Sequence, residues 1–246
     1  MIKELLEKLR MRGALKILSS LEEIQNKEEF LITLLQEEVA YRENQAGKRR
    51  LSQAKFPVEK EWCEIDKKLN PGIDFSALEA LDEKQLIINR YNLCLMGHQG
   101  TGKTHSLIAL GRKLCRKGVT SKFFTACGLV NALEEAKANH SLAKLMQNLV
   151  KPQLLIIDEL GFVPFSENGA RLLFDVFASR YERGSIAVST NLSFDKWIQV
   201  FGSVELTAAL IDRFTHKCLN YSFKGKSARL EQAKKMKEKQ NKESRK

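Results

Sequence analysis

The sequence predicts an α/β fold, a parallel sheet flanked by helices, preceded by a small helical N-terminal domain. Three observations predict it. From Tyr91 onward, short apolar runs alternate with amphipathic helical segments. A glycine-rich string, Gly97-His98-Gln99-Gly100-Thr101-Gly102-Lys103-Thr104, stands where the first of those runs meets the first of those helices. Residues 1–45 carry helical periodicity alone.

At the N-terminus, Ile2, Leu5, Leu6 and Leu9 share one face of a first helix, which Gly13 bends or ends. Phe30, Leu31, Leu34, Leu35 and Val39 repeat the pattern. Asn26, with Glu29 three residues on, marks the start of that second helix, because an Asn side chain accepts from a free N–H of the first turn. From Arg42 to Lys55 the chain is basic and polar, with only Glu43 opposing. That stretch reads either as an exposed helix end, where cations meet the negative dipole pole, or as a DNA-facing surface of Arg42, Lys48, Arg49, Arg50 and Lys55. The pattern breaks at Pro57 and again at Asn70-Pro71-Gly72, which predicts a linker. The division expected is a helical domain over 1–70, a core over 71–223 and a basic tail over 224–246. Within the core, strands are expected at Asn92–Met96, Lys122–Thr125, Leu154–Asp158, Ile186–Ser189 and Cys218–Phe223. Helices are expected at Lys103–Lys117, up to Val150, at Ser166–Arg183 and over most of Leu192–Phe214.

Composition bounds the class. With 246 residues, 43% of them hydrophobic, the chain can bury a sizeable core. No apolar run exceeds Leu154-Leu155-Ile156-Ile157, far from the roughly 20 residues of a membrane span, so a membrane protein is excluded. Glu4 and Glu7 interrupt the N-terminal leucines, which argues against a secretory signal and for a chain that starts at or near Met1. The five cysteines form no C-x-x-C pair and are expected as thiols in a reducing cytoplasm. Net charge is +11, divided as −1 over 1–90, +5 over 91–223 and +7 over 224–246. The tail run Lys234-Lys235-Met236-Lys237-Glu238-Lys239 reads as a solvated frayed helix or as a nucleic-acid contact, and charge alone does not choose.

The glycine-rich string carries the chemistry. In a G-x-x-x-x-G-K-T loop after a strand, the backbone of Gly97, His98, Gln99, Gly100, Thr101 and Gly102 curls so that N–H groups converge on phosphate oxygens. The helix that opens at Lys103, Thr104 and His105 adds positive potential. Lys103 is expected on the β- and γ-phosphates, and the Thr104 hydroxyl on Mg²⁺. Asp158 and Glu159 end an apolar strand, where an open parallel sheet places its ligands. Asp158 is expected to organise Mg²⁺ through its water shell. Glu159 is expected to orient and deprotonate a water for attack on the γ-phosphate, which favours hydrolysis over transfer. Asn191, after the strand that ends Ser189-Thr190, can sit beside that water if its strand neighbours the other two. Arg213, near the end of a helix, is either a guanidinium presented to a neighbouring subunit's nucleotide or a partner in a salt bridge of its own subunit. Cys94 reads as core, and the His98 side chain as loop filler.

Taken in order, GHQGTGKT, LLIIDELGFVPFS, STNLSF and LIDRFTHK resemble the IstB family of insertion-sequence ATP-binding proteins, relatives of DnaC-type helicase loaders within the AAA+ ATPases. TACGLVNALEEA, Arg180-Tyr181-Glu182-Arg183, WIQVFG and EEVAYRENQAGKRRLSQAKFP extend the resemblance over nearly the whole chain. It implies a cytoplasmic AAA+ ATPase that uses ATP and Mg²⁺, forms an ATP-dependent homo-oligomer on double-stranded DNA without reading sequence, and works with a cognate transposase. His98 and Gln99 stand where the family's loop commonly has two prolines; these positions offer backbone groups, so binding is expected to survive. Ser227-Ala228-Arg229 stands where the family has Ser-Tyr-Arg, so no sensing role is assigned to Arg229. Three other readings stay open: a DnaC-like replicative helicase loader acting on single-stranded DNA, a small-molecule P-loop kinase, and a DNA-binding scaffold that uses ATP only as an assembly ligand.

Overall fold

The computed structural model describes residues 2–21, 26–228, 230–231 and 236–237. Arg229 and, from the tail run, Lys234, Lys235, Glu238 and Lys239 lie outside the described residues. Five strands form one parallel sheet: β1 (Asn92–Gly97), β2 (Ser121–Thr125), β3 (Leu154–Leu160), β4 (Ser185–Thr190) and β5 (Cys218–Phe223), in the order β2-β3-β4-β1-β5. β4 lies between β3 and β1 and is buried along its whole length.

Side chains alternate between the sheet's two faces, as a period of two requires. Leu155, Ile157 and Val188 pack under α6 (Ala126–Ala138), α7 (Leu142–Val150), α8 (Glu167–Arg180) and α10 (Val204–Thr215). Leu93, Leu95, Leu154 and Ile156 face the other way, onto α5 (Lys103–Arg116). Cys94 is wholly buried in the first cluster. The segment expected as mostly helix over Leu192–Phe214 is interrupted. A helical turn at Phe194–Trp197 runs into the short α9 (Ile198–Phe201), and Gly202, at φ +72°, separates it from α10. Among the described residues no helix is long and apolar enough to cross a membrane.

The N-terminal helices depart from expectation in one place. The first segment splits into α1 (Ile2–Lys8) and α2 (Arg12–Ile17), and the break lies at Arg10, whose φ is +56°. Gly13 sits inside α2 and serves close approach instead: a Cβ there would lie 2.5 Å from the Cβ of Tyr41. α3 (Lys27–Ala54) begins as read, with Asn26 Oδ1 accepting from the N–H groups of Glu28 and Glu29 at 3.0 and 3.5 Å. Its 28 residues run without interruption through the basic stretch as far as Ala54, and Lys55, at φ +60°, caps it. Its first half packs on α2, with Leu34 buried beside Leu6, Ala14 and Leu21. Glu38, also buried, accepts from Gly13 and Ala14 N–H at 2.7 and 3.2 Å and pairs with Arg42.

The second half of α3 lies on the sheet domain. Arg50 Nε donates to Cys115 O at 2.6 Å, and Lys122 Nζ donates to Gln53 O at 3.1 Å. The segment after Lys55 is short-turned but well packed. Trp62, Ile73, Phe75, Leu78, Leu81 and Leu86, from its turns and from α4 (Phe75–Ala80), are buried in the same cluster as β1. Glu61 ties it to α5 through Arg112 at 2.9 Å and Arg116 at 3.0 Å.

Candidate nucleotide site

The loop between β1 and α5 has the backbone that phosphate binding requires. Gly97, at φ +146°, is pressed so close to β5 that a Cβ would stand 2.0 Å from Phe223 O. Gly100, at φ +76°, leaves room for Ser227, whose Oγ would be 2.2 Å from an added Cβ. Lys103 is buried at the first turn of α5, with Nζ donating to Gly97 O and His98 O at 2.7 Å each. The His98 and Gln99 side chains are exposed, and Thr101 Oγ1 closes the loop onto His98 O at 2.8 Å. His105 turns its side chain away from the loop: Nε2 lies 2.8 Å from Glu61 O.

β3 and β4 supply the facing wall. Thr104 Oγ1 donates to Asp158 Oδ1 at 2.9 Å across the loop. Asp158 is buried, and the Ser189 hydroxyl donates to the same oxygen. Glu159 follows with φ +61° and an exposed side chain. Pairing runs Ile157↔Val188 and then Leu160↔Thr190, so β3 spends one residue more than β4. This is a β-bulge, a common device for re-aiming a side chain beside an active site. Lys103, Thr104, Glu159, Phe162, Thr190 and Asn191 line one cavity. Because β4 neighbours both β1 and β3, Asn191 joins Lys103 and Glu159 there.

Arg213 lies elsewhere. α10 ends near the start of β5, and β5 runs parallel to β1, so Arg213 is at the sheet edge where strands begin, beside Asn92. The nucleotide loop is at the edge where they end, with roughly 17 Å of strand between. The guanidinium sits over the Phe174 ring at 5.1 Å and donates to Ala209 O at 3.3 Å. Among the described residues it makes no salt bridge, which removes the own-subunit ion pair as its explanation within that set. Arg90, His216 and Lys217 line the same cleft.

The basic stretch divides into engaged and exposed cations. Arg42 is exposed but paired with Glu38, the partly buried Arg50 donates to Cys115 O, and Lys48, Arg49 and Lys55 are exposed.

Some residues at the site carry no motif. Asn70, buried, donates through Nδ2 to Thr101 O at 2.8 Å and accepts at Oδ1 from Gly225 N–H at 3.0 Å. Ala228 N–H donates to Gly100 O at 2.8 Å, so the segment after β5 is seated on the loop. Asn70-Pro71-Gly72 signalled only a turn, and nothing in its spacing reports a buried amide. Ser189 was visible only as one polar residue of a strand end.

A family model described as IstB-like ATP binding protein matches residues 5–236. The chain belongs to the IstB-like ATP-binding family. Among IstB-like relatives, it is 34% identical over 212 residues to the protein named as the ATP-binding protein of insertion sequence IS5376 of Geobacillus stearothermophilus, covering 86% of this chain and 84% of that one. It is 34% identical over 236 residues to the counterpart named for IS21 of Pseudomonas aeruginosa, covering 94% and 89%. Among solved structures, a DnaC helicase loader matches with a TM-score of 0.52 at 18% identity, over 72% of this chain and 99% of that one. An AMPPCP-bound DnaA from Aquifex aeolicus matches with a TM-score of 0.52 at 19% identity, over 62% and 46%. Those likenesses are of fold, and they concern the IstB-like chain's sheet domain.

Proposed function

We propose that this chain is a cytoplasmic, DNA-binding AAA+ ATPase that hydrolyses ATP with Mg²⁺, assembles as an ATP-dependent homo-oligomer, and assists the transposase of an insertion sequence. One observation carries the reading. Lys103, Thr104, Glu159 and Asn191 converge on one cavity, with Asp158 bonded to Thr104, while Arg213 stands at the opposite end of the sheet, away from its own cavity. The names of the insertion-sequence relatives support the transposition role.

The loop N–H groups of Gly97 to Gly102, with that of His105, bind the phosphates, and Lys103 adds a full charge. The Thr104 hydroxyl and the Asp158 carboxylate are hard oxygen donors already in contact, a set that fits Mg²⁺. When bound, Mg²⁺ neutralises charge on the β- and γ-phosphate oxygens. Glu159 orients a water and takes its proton, Asn191 holds the same water or a γ-oxygen, and Arg213 of a neighbouring copy stabilises the charge that develops. Duplex DNA lies against Arg42, Lys48, Arg49 and Lys55, with Arg50 turned to α5. Such contacts give affinity without base reading. The division into 1–70, 71–223 and 224–246 is one of roles, with partner and DNA contacts in the first and nucleotide chemistry in the second.

Light scattering tests this reading. ATP and duplex DNA together are expected to give large assemblies that Lys103→Ala does not form. A preference for single-stranded DNA would favour a helicase loader, a reading the DnaC-like fold also supports. A monomer under every condition would remove the trans role of Arg213. Glu159→Gln separates a hydrolysing switch, which the substitution traps on DNA, from an indifferent scaffold.

A further inference from the structure

We infer that Ser189 is a positioning residue for hydrolysis: its buried hydroxyl holds the backbone of Glu159 in the bulge that aims the Glu159 carboxylate. The inference rests on the reading of Glu159 as the group that activates water.

The β3–β4 ladder is regular from Leu154↔Ser185 to Ile157↔Val188, and the next pair would set Asp158 against Ser189. Instead the register shifts, and Leu160 is already opposite Thr190. A bulge leaves its extra residue outside the ladder, so a backbone donor there needs another acceptor. Glu159 N–H finds one in the Ser189 hydroxyl, at 3.0 Å. The same hydroxyl donates its own proton to Asp158 Oδ1, which also accepts from Thr104 Oγ1 at 2.9 Å. One oxygen therefore accepts from the backbone of Glu159 and donates to the carboxylate of Asp158. Ser189 is 1% exposed, so water does not replace it at no cost.

The backbone of Glu159 is in a region that non-glycine residues populate sparsely, at φ +61°. Such a conformation persists only where neighbours hold it: Ser189 Oγ accepts from the Glu159 N–H, and the Glu159 carbonyl accepts from Phe162 N–H at 3.3 Å. A serine is suited to the place because a hydroxyl both accepts and donates, while alanine does neither and a carboxylate would repel Asp158. Without the hydroxyl, the bulge can relax toward a regular ladder. That would turn the Glu159 carboxylate away from the cavity that Lys103 and Asn191 line, and leave the phosphate loop intact.

The test is a double-mutant cycle of Ser189→Ala with Glu159→Gln, measured in the full-length chain with ATP and Mg²⁺. Ser189→Ala is expected to lower kcat by roughly 10- to 100-fold, the scale of a misaimed catalytic group, with KM within about twofold of the unmutated chain. Affinity for a fluorescent ATP analogue, which needs no turnover, is expected to stay within that same factor. In the Glu159→Gln background, Ser189→Ala is expected to have almost no further effect, since the two act as a unit. Ser189→Thr, which keeps the hydroxyl, is expected to restore most of the rate. Multiplicative losses in the double mutant, an unchanged kcat in Ser189→Ala, or a loss of nucleotide affinity as large as the loss of rate would each overturn the inference. If the unmutated chain or Glu159→Gln shows that Glu159 has no part in turnover, the underlying reading of the site fails first, and the cycle distinguishes that outcome.

Discussion

The side-chain amide of Asn92 donates to the carbonyl oxygen of Phe214 at 2.9 Å and so fixes α10 one residue beyond Arg213. Its Oδ1 accepts from Ile186 N–H at 2.9 Å, and its backbone N–H reaches Lys217 O at 2.6 Å. One residue at the start of β1 thus joins the neighbouring strand to the helix end that carries Arg213.

Asn92→Ala leaves Phe214 O and Ile186 N–H without these partners, at a cost of about 1–3 kcal/mol. Turnover that depends on a neighbouring copy is expected to fall toward that of Arg213→Ala, while nucleotide affinity is kept. ATPase rate measured against protein concentration checks this, and an unchanged concentration dependence would count against it.

Arg180 is buried, with no carboxylate partner among the described residues. Its guanidinium instead donates to Leu149 O at 2.6 Å, Pro152 O at 2.9 Å, Gln153 O at 3.1 Å and Ser185 O at 2.9 Å. Burial pulls its pKa down to about 10, still well above neutrality. Arg180→Met fills the space but strands several acceptors, so the loss of stability is expected to reach about 3 kcal/mol or more. Urea denaturation monitored by circular dichroism is the measurement.

Acid is expected to loosen the segment that joins α3 to the nucleotide loop. The Arg116 guanidinium, helped by Arg112 and opposed by burial, holds the Glu61 carboxyl at about 2. A carboxylate with a depressed folded-state pKa stabilises fully above its ordinary value of about 4.5 and loses that contribution as pH falls toward 2. Glu61→Gln should flatten this part of the stability curve and leave the curve above pH 6 parallel to that of the unmutated chain. Thermal unfolding across pH 2 to 7 reads both.

The exposed and engaged cations of α3 should separate in experiment. Lys48→Ala and Arg49→Ala are each expected to weaken DNA binding and to lower the salt slope by about one. Arg50→Ala is expected mainly to lower the melting temperature, because its partner is Cys115 O on α5. Titrations at several salt concentrations beside melting curves distinguish the two effects.

Sequence patterns revealed the sheet and its glycine-rich loop because both are local. Asn92–Met96 and Leu154–Asp158 are apolar runs bounded by polar residues, and the loop after Met96 declares itself through glycine spacing. What stayed hidden depends on contacts distant in sequence. Glu38 anchors α2 from α3, and Arg50 reaches Cys115, 65 positions on. The bulge at Glu159 follows from how β3 meets β4, which neither strand's own residues reveal. Gly13 misled for a related reason, since a glycine that admits a neighbouring helix looks in sequence like one that ends its own.

The length of α3 has a mechanical meaning. Twenty-eight residues at 1.5 Å each make a rod of roughly 42 Å. One end is bonded to the C-terminal end of α5, the helix whose first turn closes the nucleotide loop, and the other carries Leu34 and the N-terminal cluster. With no break along it, a tilt of about 10° where α3 meets α5 sweeps the far end through roughly 7 Å. Small shifts of α5 are thereby geared up into displacements on the scale of a whole side chain at the N-terminal cluster.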